Sequence, residues 1–165
     1  PILELVAMAR IGVVFHSSTG YTRLLAAAVA QGAAEADDAE VVSLEIQGAV
    51  SAQTKAFMDA CLSRWYARAW SGKVGAAFTV SSTPSGDKLN ALHDLFVFAM
   101  QMGMVWVGQD ESPISGSGSN RLGIYVGAAA QPDYQAEPAA LMPGDAEGGR
   151  LLGARVASLA DRLAT

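Results

Sequence analysis

The chain has 165 residues, of which 51% are hydrophobic and 16% are charged, and its formal net charge at pH 7 is −5. This composition is typical of a folded chain, and we expect one domain over residues 1–165. The acidic balance, without any cluster of Lys or Arg, argues against a nucleic-acid partner. The single cysteine, Cys61, excludes an internal disulfide framework and a cysteine-based zinc site, and we predict no metal. No apolar stretch is long enough to predict a membrane span, and the N-terminus lacks the positive charge of a signal peptide, so we expect a cytoplasmic protein.

Hydrophobic runs alternate with helical patterns along the chain. The runs are continuous, as in strands that are buried on both faces of a parallel sheet. In order, they are Ile11–Phe15, Val41–Ile46, Val74–Val80, Met104–Val107 and Leu122–Val126. Helical spacing and strong helix formers predict helices over Thr22–Glu35, Ser51–Trp65, Lys88–Met102 and Gly148–Leu163. Strands that alternate with helices predict an α/β fold with a parallel sheet.

Two segments lie outside this alternation. Residues 1–9, with the sequence PILELVAMA, form an N-terminal extension. Residues 109–120, with the sequence QDESPISGSGSN, are rich in Gly and Ser and predict a flexible surface loop. This insertion divides the last strand region in two.

A hydroxyl-rich turn follows the first predicted strand. It contains Ser17, Ser18, Thr19 and Thr22 just before the first predicted helix. Ligands bind at the carboxyl ends of parallel strands, and the start of a helix suits an anion. Capping of the helix by Ser18 or Thr19 is the plainer interpretation, but a cap needs one hydroxyl, so the turn favours a phosphate site. It is neither a Walker A loop nor a dinucleotide fingerprint, because it lacks their glycine and lysine spacing.

Five segments, taken in order, carry a resemblance to a known family. The first, SSTGYT, resembles the FMN phosphate loop of the flavodoxin family. The others resemble quinone reductases of the WrbA type: GAVSAQTKAFMDA with LSRW, GKVGAAFTVSSTPSGD, GMVWVG with RLGIYVGAAAQ, and GRLLGARVASLADRL. The chain is therefore similar to the WrbA-type NAD(P)H:quinone oxidoreductases over most of its length from Arg10 onward.

The resemblance implies a fold, a cofactor and a reaction. The fold would be a flavodoxin-like three-layer sandwich with a parallel sheet of strand order 2-1-3-4-5. The cofactor would be FMN, NAD(P)H would be the co-substrate, and a quinone would be reduced by two electrons. The family also implies a homo-oligomer, either a tetramer or a dimer. The sequence does not select between NADH and NADPH, nor does it identify the quinone.

The resemblance also implies the site residues. The FMN phosphate would be bound by Ser17, Ser18, Thr19, Gly20, Tyr21 and Thr22. The flavin ring would be surrounded by Val80, Ser81, Ser82, Thr83, Pro84, Ser85, Gly86 and Asp87. Gly86 would let the backbone approach the ring closely, and Asp87 also suits the N-cap of the following helix. The resemblance identifies no catalytic acid or base.

Two further positions match the substrate side of the family's flavin. Trp65 matches a tryptophan that lines that side, although simple packing explains a tryptophan at a helix end equally well. Family members often carry a histidine just before the GM sequence, and here Gln101 is the nearest substitute donor. Neither His16 nor His93 takes that place.

One departure from the family is large. The family has a linker, a third strand and a flavin loop between VVSLEIQ and GAVSAQ, whereas here Gln47 is followed directly by Gly48. Loss of a central strand exposes backbone hydrogen-bonding groups and apolar surface. Three explanations are open: residues missing from this sequence, which we favour, a true deletion, or a strand supplied by PILELV from this chain or a partner.

Two other functions compete with quinone reduction. A flavodoxin-type carrier would bind the same FMN but pass single electrons to a protein partner. A cofactor-free interaction protein would retain the fold without the flavin, and the missing segment is the feature that favours it.

Overall fold

The structure is a computed structural model that describes residues 10–35, 39–45 and 50–164. The N-terminal extension, and with it the idea that PILELV supplies a strand, lies outside the described residues. Ile46 and the junction between Gln47 and Gly48 lie outside them as well.

Five helices are present in the described part of the chain. They are α1 (Tyr21–Ala33), α2 (Val50–Ala60), α3 (Leu62–Tyr66), α4 (Lys88–Gln101) and α5 (Asp145–Ala164). All four predicted helices are confirmed, and the second is divided at Cys61. None of these helices is long and apolar enough to cross a membrane.

The strands confirm a parallel arrangement. β1 (Arg10–Phe15) and β2 (Glu40–Glu45) pair in parallel, with Arg10 opposite Glu40 and Phe15 opposite Glu45. The remaining strands are β3 (Val74–Gly75), β4 (Phe78–Val80), β5 (Val105–Trp106), β6 (Ala128–Ala130), β7 (Pro132–Asp133) and β8 (Ala140–Leu141). β3 pairs with β5 and β4 pairs with β6, both in parallel, while β7 and β8 form a short antiparallel pair.

The last strand region is split, as the sequence predicts. The single apolar run from Val74 to Val80 has its first half against β5 and its second half against β6. Residues 107–127 leave the sheet between these two partners and return to it. One long strand of the expected order is thus divided into two consecutive short strands.

The predicted strand over Leu122–Val126 is wrong, because the strand that pairs with β4 begins at Ala128, two residues after the predicted strand ends. The backbone N–H of Ile124 donates to the side-chain oxygen of Asn120 at 3.1 Å, so this part of the chain forms a turn. At Gly127 a Cβ atom would overlap the carbonyl oxygen of Ala77. The alanines of β6 therefore pair with β4, and Gly127 lies against Ala77, because their small size allows the close approach. The apolar run Leu122–Val126, from which the strand was predicted, does not pair.

The insertion at 109–120 is anchored at its base. Ile114 at its tip is 91% exposed, but Ser119 and Asn120 are buried. The Ser119 hydroxyl donates to the carboxylate of Glu111 at 3.2 Å, and the Asn120 amide donates to the Glu111 carbonyl at 3.0 Å. The prediction of a surface loop therefore holds for the tip, while both ends of the loop are tied together.

The two faces of β1 have different surroundings. Ile11 and Val13 are buried in a core shared with α1 and α5, as alternate residues of a strand point to the same face. Gly12 and Val14 point to the opposite face, where Val14 remains 39% exposed. A central strand of a doubly wound sheet is normally covered by helices on both faces. The exposure of Val14 shows that the described residues cover this face of β1 only in part.

The sheet is interrupted beside β1. Its pairs correspond to strands 2-1 and 4-5 of the expected order, and no described strand lies between β1 and β4. A cavity of about 640 Å³ lies there, lined by Val14 and Phe15 of β1, Phe78 of β4, Phe57 of α2 and Phe98 of α4. Among the described residues, the cavity occupies the position between β1 and β4 where the expected order 2-1-3-4-5 puts a third strand.

Cys61 offers a test of the junction between α2 and α3. Its side chain is buried, and burial raises the pKa of the thiol, an effect that the nearby Arg64 partly opposes. Because the thiolate is the reactive form, we expect native Cys61 to be alkylated at least about tenfold more slowly at pH 8 than in urea. Timed labelling with iodoacetamide, quantified by mass spectrometry, measures both rates. Equal rates would show that Cys61 is not buried at this junction.

Candidate functional site

Three segments converge at the carboxyl ends of β1, β4 and β6. They are the turn 16–20 and start of α1, the loop 81–87, and the segment 131–134. Tyr134 connects all three, because its hydroxyl donates to the Ser82 hydroxyl oxygen at 2.8 Å and its ring meets Tyr21 edge-on at a centroid distance of 5.7 Å. The sequence patterns assigned no role at the site to Tyr134.

The turn after β1 leaves hydroxyls available for a ligand. Ser17 accepts the backbone N–H of Arg23 at 3.2 Å, which satisfies one of the free donors of the first turn of α1. The N-cap residue is Gly20, with φ of +90°, so the alternative interpretation, capping by Ser18 or Thr19, is not observed. Both of these residues are exposed, and neither is hydrogen-bonded to another described residue. Their hydroxyls are therefore not used for capping and are accessible to a ligand.

The loop 81–87 closes tightly on itself. Gly86 has φ of +46°, and a Cβ atom there would overlap the hydroxyl oxygen of Ser81. The Ser81 hydroxyl is buried and has no partner in the described part of the chain. Asp87 occupies the N-cap position of α4 as predicted, but with φ of +52° and no hydrogen bond from its side chain to the helix. The strained turn at Gly86 and Asp87 thus shapes the loop without capping the helix.

Two side chains, one buried and one partly exposed, hold the carbonyl groups of this loop. The buried Lys88 ammonium donates to the carbonyls of Thr83 and, at 3.3 Å, Pro84. The Gln131 amide donates to the Ser82 carbonyl at 3.2 Å. The three successive carbonyls of Ser82, Thr83 and Pro84 therefore each accept a hydrogen bond from a side chain.

A buried carboxylate holds the backbone of Gln131, one of the residues that bind the loop carbonyls. Asp145, the first residue of α5, accepts the Gln131 backbone N–H at 2.8 Å and the Arg121 guanidinium at 2.8 Å. Burial lowers the pKa of Lys88, while the charge of Asp145 raises it and that of Arg121 lowers it. Sequence reasoning missed this network, and its only local signal was a charged residue at the start of each of two helices.

The two residues predicted on the substrate side are not brought to these loops. Gln101 is the last residue of α4, and a helix rise of 1.5 Å per residue places it about 20 Å from Lys88 at the site. Its backbone carbonyl accepts from Arg68, in the turn that precedes the amino end of β3. Trp65 lies in α3 on the chain leading into that turn, and its ring contacts Tyr66. Within this chain, both residues belong to the opposite edge of the sheet.

The residues at the convergent loops fit FMN. A phosphate needs donors, and the turn offers the hydroxyls of Ser18 and Thr19 beside the start of α1. The polar edge of a flavin also needs donors, and the unpartnered hydroxyl of Ser81 lies in the loop of Gly86. No group of three or more His, Cys, Asp or Glu side chains that could hold a metal occurs among the described residues. The fold and its loops define an α/β protein with a candidate cofactor site at the carboxyl ends of its strands.

Comparison with known proteins agrees with this description. Residues 41–118 match the family described as NADPH-dependent FMN reductase. The chain is 32% identical to flavodoxin FldP of Pseudomonas aeruginosa (strain UCBPP-PA14), over 94% of this chain and 99% of that protein. It is 30% identical to an NAD(P)H dehydrogenase (quinone) of Archaeoglobus fulgidus, over 94% and 100%. The crystal structure of a flavodoxin, WrbA-like protein from Agrobacterium tumefaciens superposes with a TM-score of 0.68 at 30% identity, covering 93% of this chain and 98% of that one.

The chain belongs to the flavodoxin-like, WrbA-type family of FMN-dependent oxidoreductases. The family implies FMN as cofactor and NAD(P)H as electron donor, as the sequence resemblance indicates. The alignments with the Pseudomonas and Archaeoglobus proteins extend over 186 and 201 positions. Each covers 94% of this chain, which is about 155 of its 165 residues. This chain therefore lacks about 30 or more positions that these relatives have, enough for a strand and its connections.

Proposed function

We propose that this protein is an FMN-dependent NAD(P)H:quinone oxidoreductase. The observation that carries the proposal is the convergence of the turn after β1, the loop 81–87 and Tyr134 into one cradle. Relatives named NAD(P)H dehydrogenase (quinone) support the choice of reaction. The chemistry that FMN would supply when bound is two-electron transfer from NAD(P)H to a quinone.

The proposal gives each loop a role. Ser18 and Thr19, with the start of α1, would hold the phosphate, and the loop 81–87 would hold the flavin ring. Backbone N–H groups of that loop would form a donor array, fixed in advance, that stabilises negative charge on the reduced ring. Tyr134 would keep the Ser82 side chain in place through its 2.8 Å hydrogen bond. We assign no catalytic acid or base to this chain.

The absorbance spectrum of the purified protein, recorded before and after incubation with FMN and desalting, tests the proposal. Flavin absorbance bands that remain after desalting, followed by oxidation of NADH or NADPH with a benzoquinone as acceptor, are the expected result. Initial rates with each nicotinamide nucleotide then decide which donor is used. Absence of bound flavin would overturn the proposal and favour the cofactor-free interaction protein.

A flavodoxin-type electron carrier is the second candidate. The name of the 32% identical relative, flavodoxin FldP, favours it. A carrier passes single electrons, so partial reduction of its bound flavin would accumulate a one-electron-reduced state. Stepwise anaerobic titration with dithionite distinguishes the two functions, because a two-electron reductase is expected to pass directly from the oxidised to the fully reduced spectrum.

The proposal includes a homo-oligomer, either a tetramer or a dimer. Exposed apolar side chains on α3 support it: Leu62 and Tyr66 are 57% and 72% exposed. The cytoplasmic location and the single domain over residues 1–165 stay predictions of the sequence.

A further inference from the structure

Lys88 is an unusual residue to find in an interior. Its side chain is 1% exposed, whereas lysine is almost never fully buried unless it is paired. No carboxylate of the described residues lies within ion-pair distance of its ammonium. Its hydrogen-bond partners are the backbone carbonyls of Thr83 and Pro84, which belong to the proposed flavin loop. A buried positive charge therefore lies directly behind that loop.

The two bonds determine how the loop presents its backbone. In a trans peptide the carbonyl of one residue and the N–H of the next point in opposite directions. Because the Pro84 carbonyl is turned to Lys88, the N–H of Ser85 is turned away from it. The Ser82 carbonyl is turned to the partly exposed Gln131 side chain in the same way, so the N–H of Thr83 is turned away from that side chain. In the described part of the chain, neither N–H has a hydrogen-bond acceptor.

We propose that Lys88 is a positioning residue that aims the Ser85 N–H at the flavin and, through its positive charge, raises the reduction potential of the bound flavin. This inference rests on the proposed function, because it requires FMN in the cradle. Reduced flavin is anionic, and a positive charge in a poorly solvated position stabilises an anion more strongly than the same charge in water. Lys88 would therefore favour the reduced form over the oxidised form.

A substitution by an uncharged, unbranched side chain of similar length tests the inference. Lys88→Met retains the unbranched side chain but removes the charge and both hydrogen bonds. We expect the ratio of the dissociation constants of reduced and oxidised FMN to rise about tenfold, which lowers the two-electron potential by about 30 mV. Spectroelectrochemical titration gives the potential, and quenching of FMN fluorescence gives the dissociation constant of the oxidised form. Lys88→Arg, which keeps the charge and the donors, is expected to restore most of the potential.

Lys73→Met provides the matched control, because Lys73 is exposed and lies before the amino end of β3, at the other edge of the sheet. A wild-type potential in Lys88→Met with FMN still bound would overturn the inference and leave the proposed function intact. Failure of the wild-type protein to bind FMN would instead refute the proposed function. If Lys88→Met does not fold, a wild-type potential in Lys88→Gln, which also lacks the charge, would overturn the inference.

Discussion

Replacement of Asp145 by asparagine is expected to lower the free energy of unfolding by about 3 kcal/mol. Asp145 is 2% exposed and accepts hydrogen bonds from Arg121 and from the Gln131 backbone, both at 2.8 Å. Removing one partner of a buried ion pair costs about 3–5 kcal/mol, and the Arg121 side chain is 27% exposed, which favours the lower value. The asparagine amide group would also direct N–H donors at the N–H donors of Arg121. Urea unfolding followed by circular dichroism measures the change.

The control for this substitution is Asp110→Asn. Asp110 pairs with Arg155, and their side chains are 58% and 46% exposed. An exposed ion pair contributes about 0–1 kcal/mol, so we expect little change in stability. Equal losses for the two variants would contradict the view that Asp145 is a buried anchor of the segment at Gln131.

The second large effect is expected at the crossing of α1 and α5. A Cβ atom at Gly153 would overlap the carbonyl oxygen of Val29 and would lie 2.9 Å from the backbone nitrogen of Ala33. These neighbours are backbone atoms of another helix, so they cannot move aside as a flexible side chain can. We expect Gly153→Ala to lower the free energy of unfolding by about 2–3 kcal/mol, although alanine favours an isolated helix by about 1 kcal/mol over glycine. Chemical unfolding of the variant is the measurement.

Gly12→Ala isolates the crossing from the general effect of removing a glycine. Gly12 lies in β1 on the uncovered face, and no atom lies within 4 Å of the position of an added Cβ. We expect a change of less than about 1 kcal/mol, in either direction. A comparable loss for Gly12→Ala and Gly153→Ala would show that close approach of α1 to α5 does not explain the glycine at 153.

This helix crossing also bears on the site. α1 begins at Tyr21, directly after the hydroxyl-rich turn, and Tyr21 contacts Tyr134. A shift of α1 against α5 would move the turn relative to the loop 81–87. We therefore expect Gly153→Ala to weaken FMN binding as well as stability, through the relative position of the loops.

The interruption of the sheet between β1 and β4 corresponds to a feature that is visible in the sequence. The direct junction of Gln47 to Gly48 predicts a missing third strand, and the gap between β1 and β4, with its cavity of about 640 Å³, agrees with that prediction. The two alignments extend over more positions than the part of this chain that they cover, as a missing segment requires. A segment that is absent can be recognised in sequence because its neighbours on both sides still match the family.

Local sequence patterns were enough to predict the order of strands and helices, the split of the last strand and the hydroxyl-rich turn. These features depend on local patterns: apolar runs, helical spacing, and a short polar turn between a strand and a helix. Predictions were wrong where the same local pattern is compatible with more than one structure. Apolar residues at 122–126 have strand composition, yet the tighter approach of Gly127 to Ala77 determines that pairing begins at Ala128.

The side chains that meet at the site could be identified only from the folded chain. Ser82 meets Gln131 and Tyr134, which are 49 and 52 residues away along the chain. Lys88 is buried because its loop folds back over it, and a lysine at the start of a helix is ordinarily a solvated residue. Gln101 lies away from the loops because the length of α4 carries it to the other edge of the sheet. Partners and burial depend on contacts between distant segments, and spacing along the chain does not encode these contacts locally.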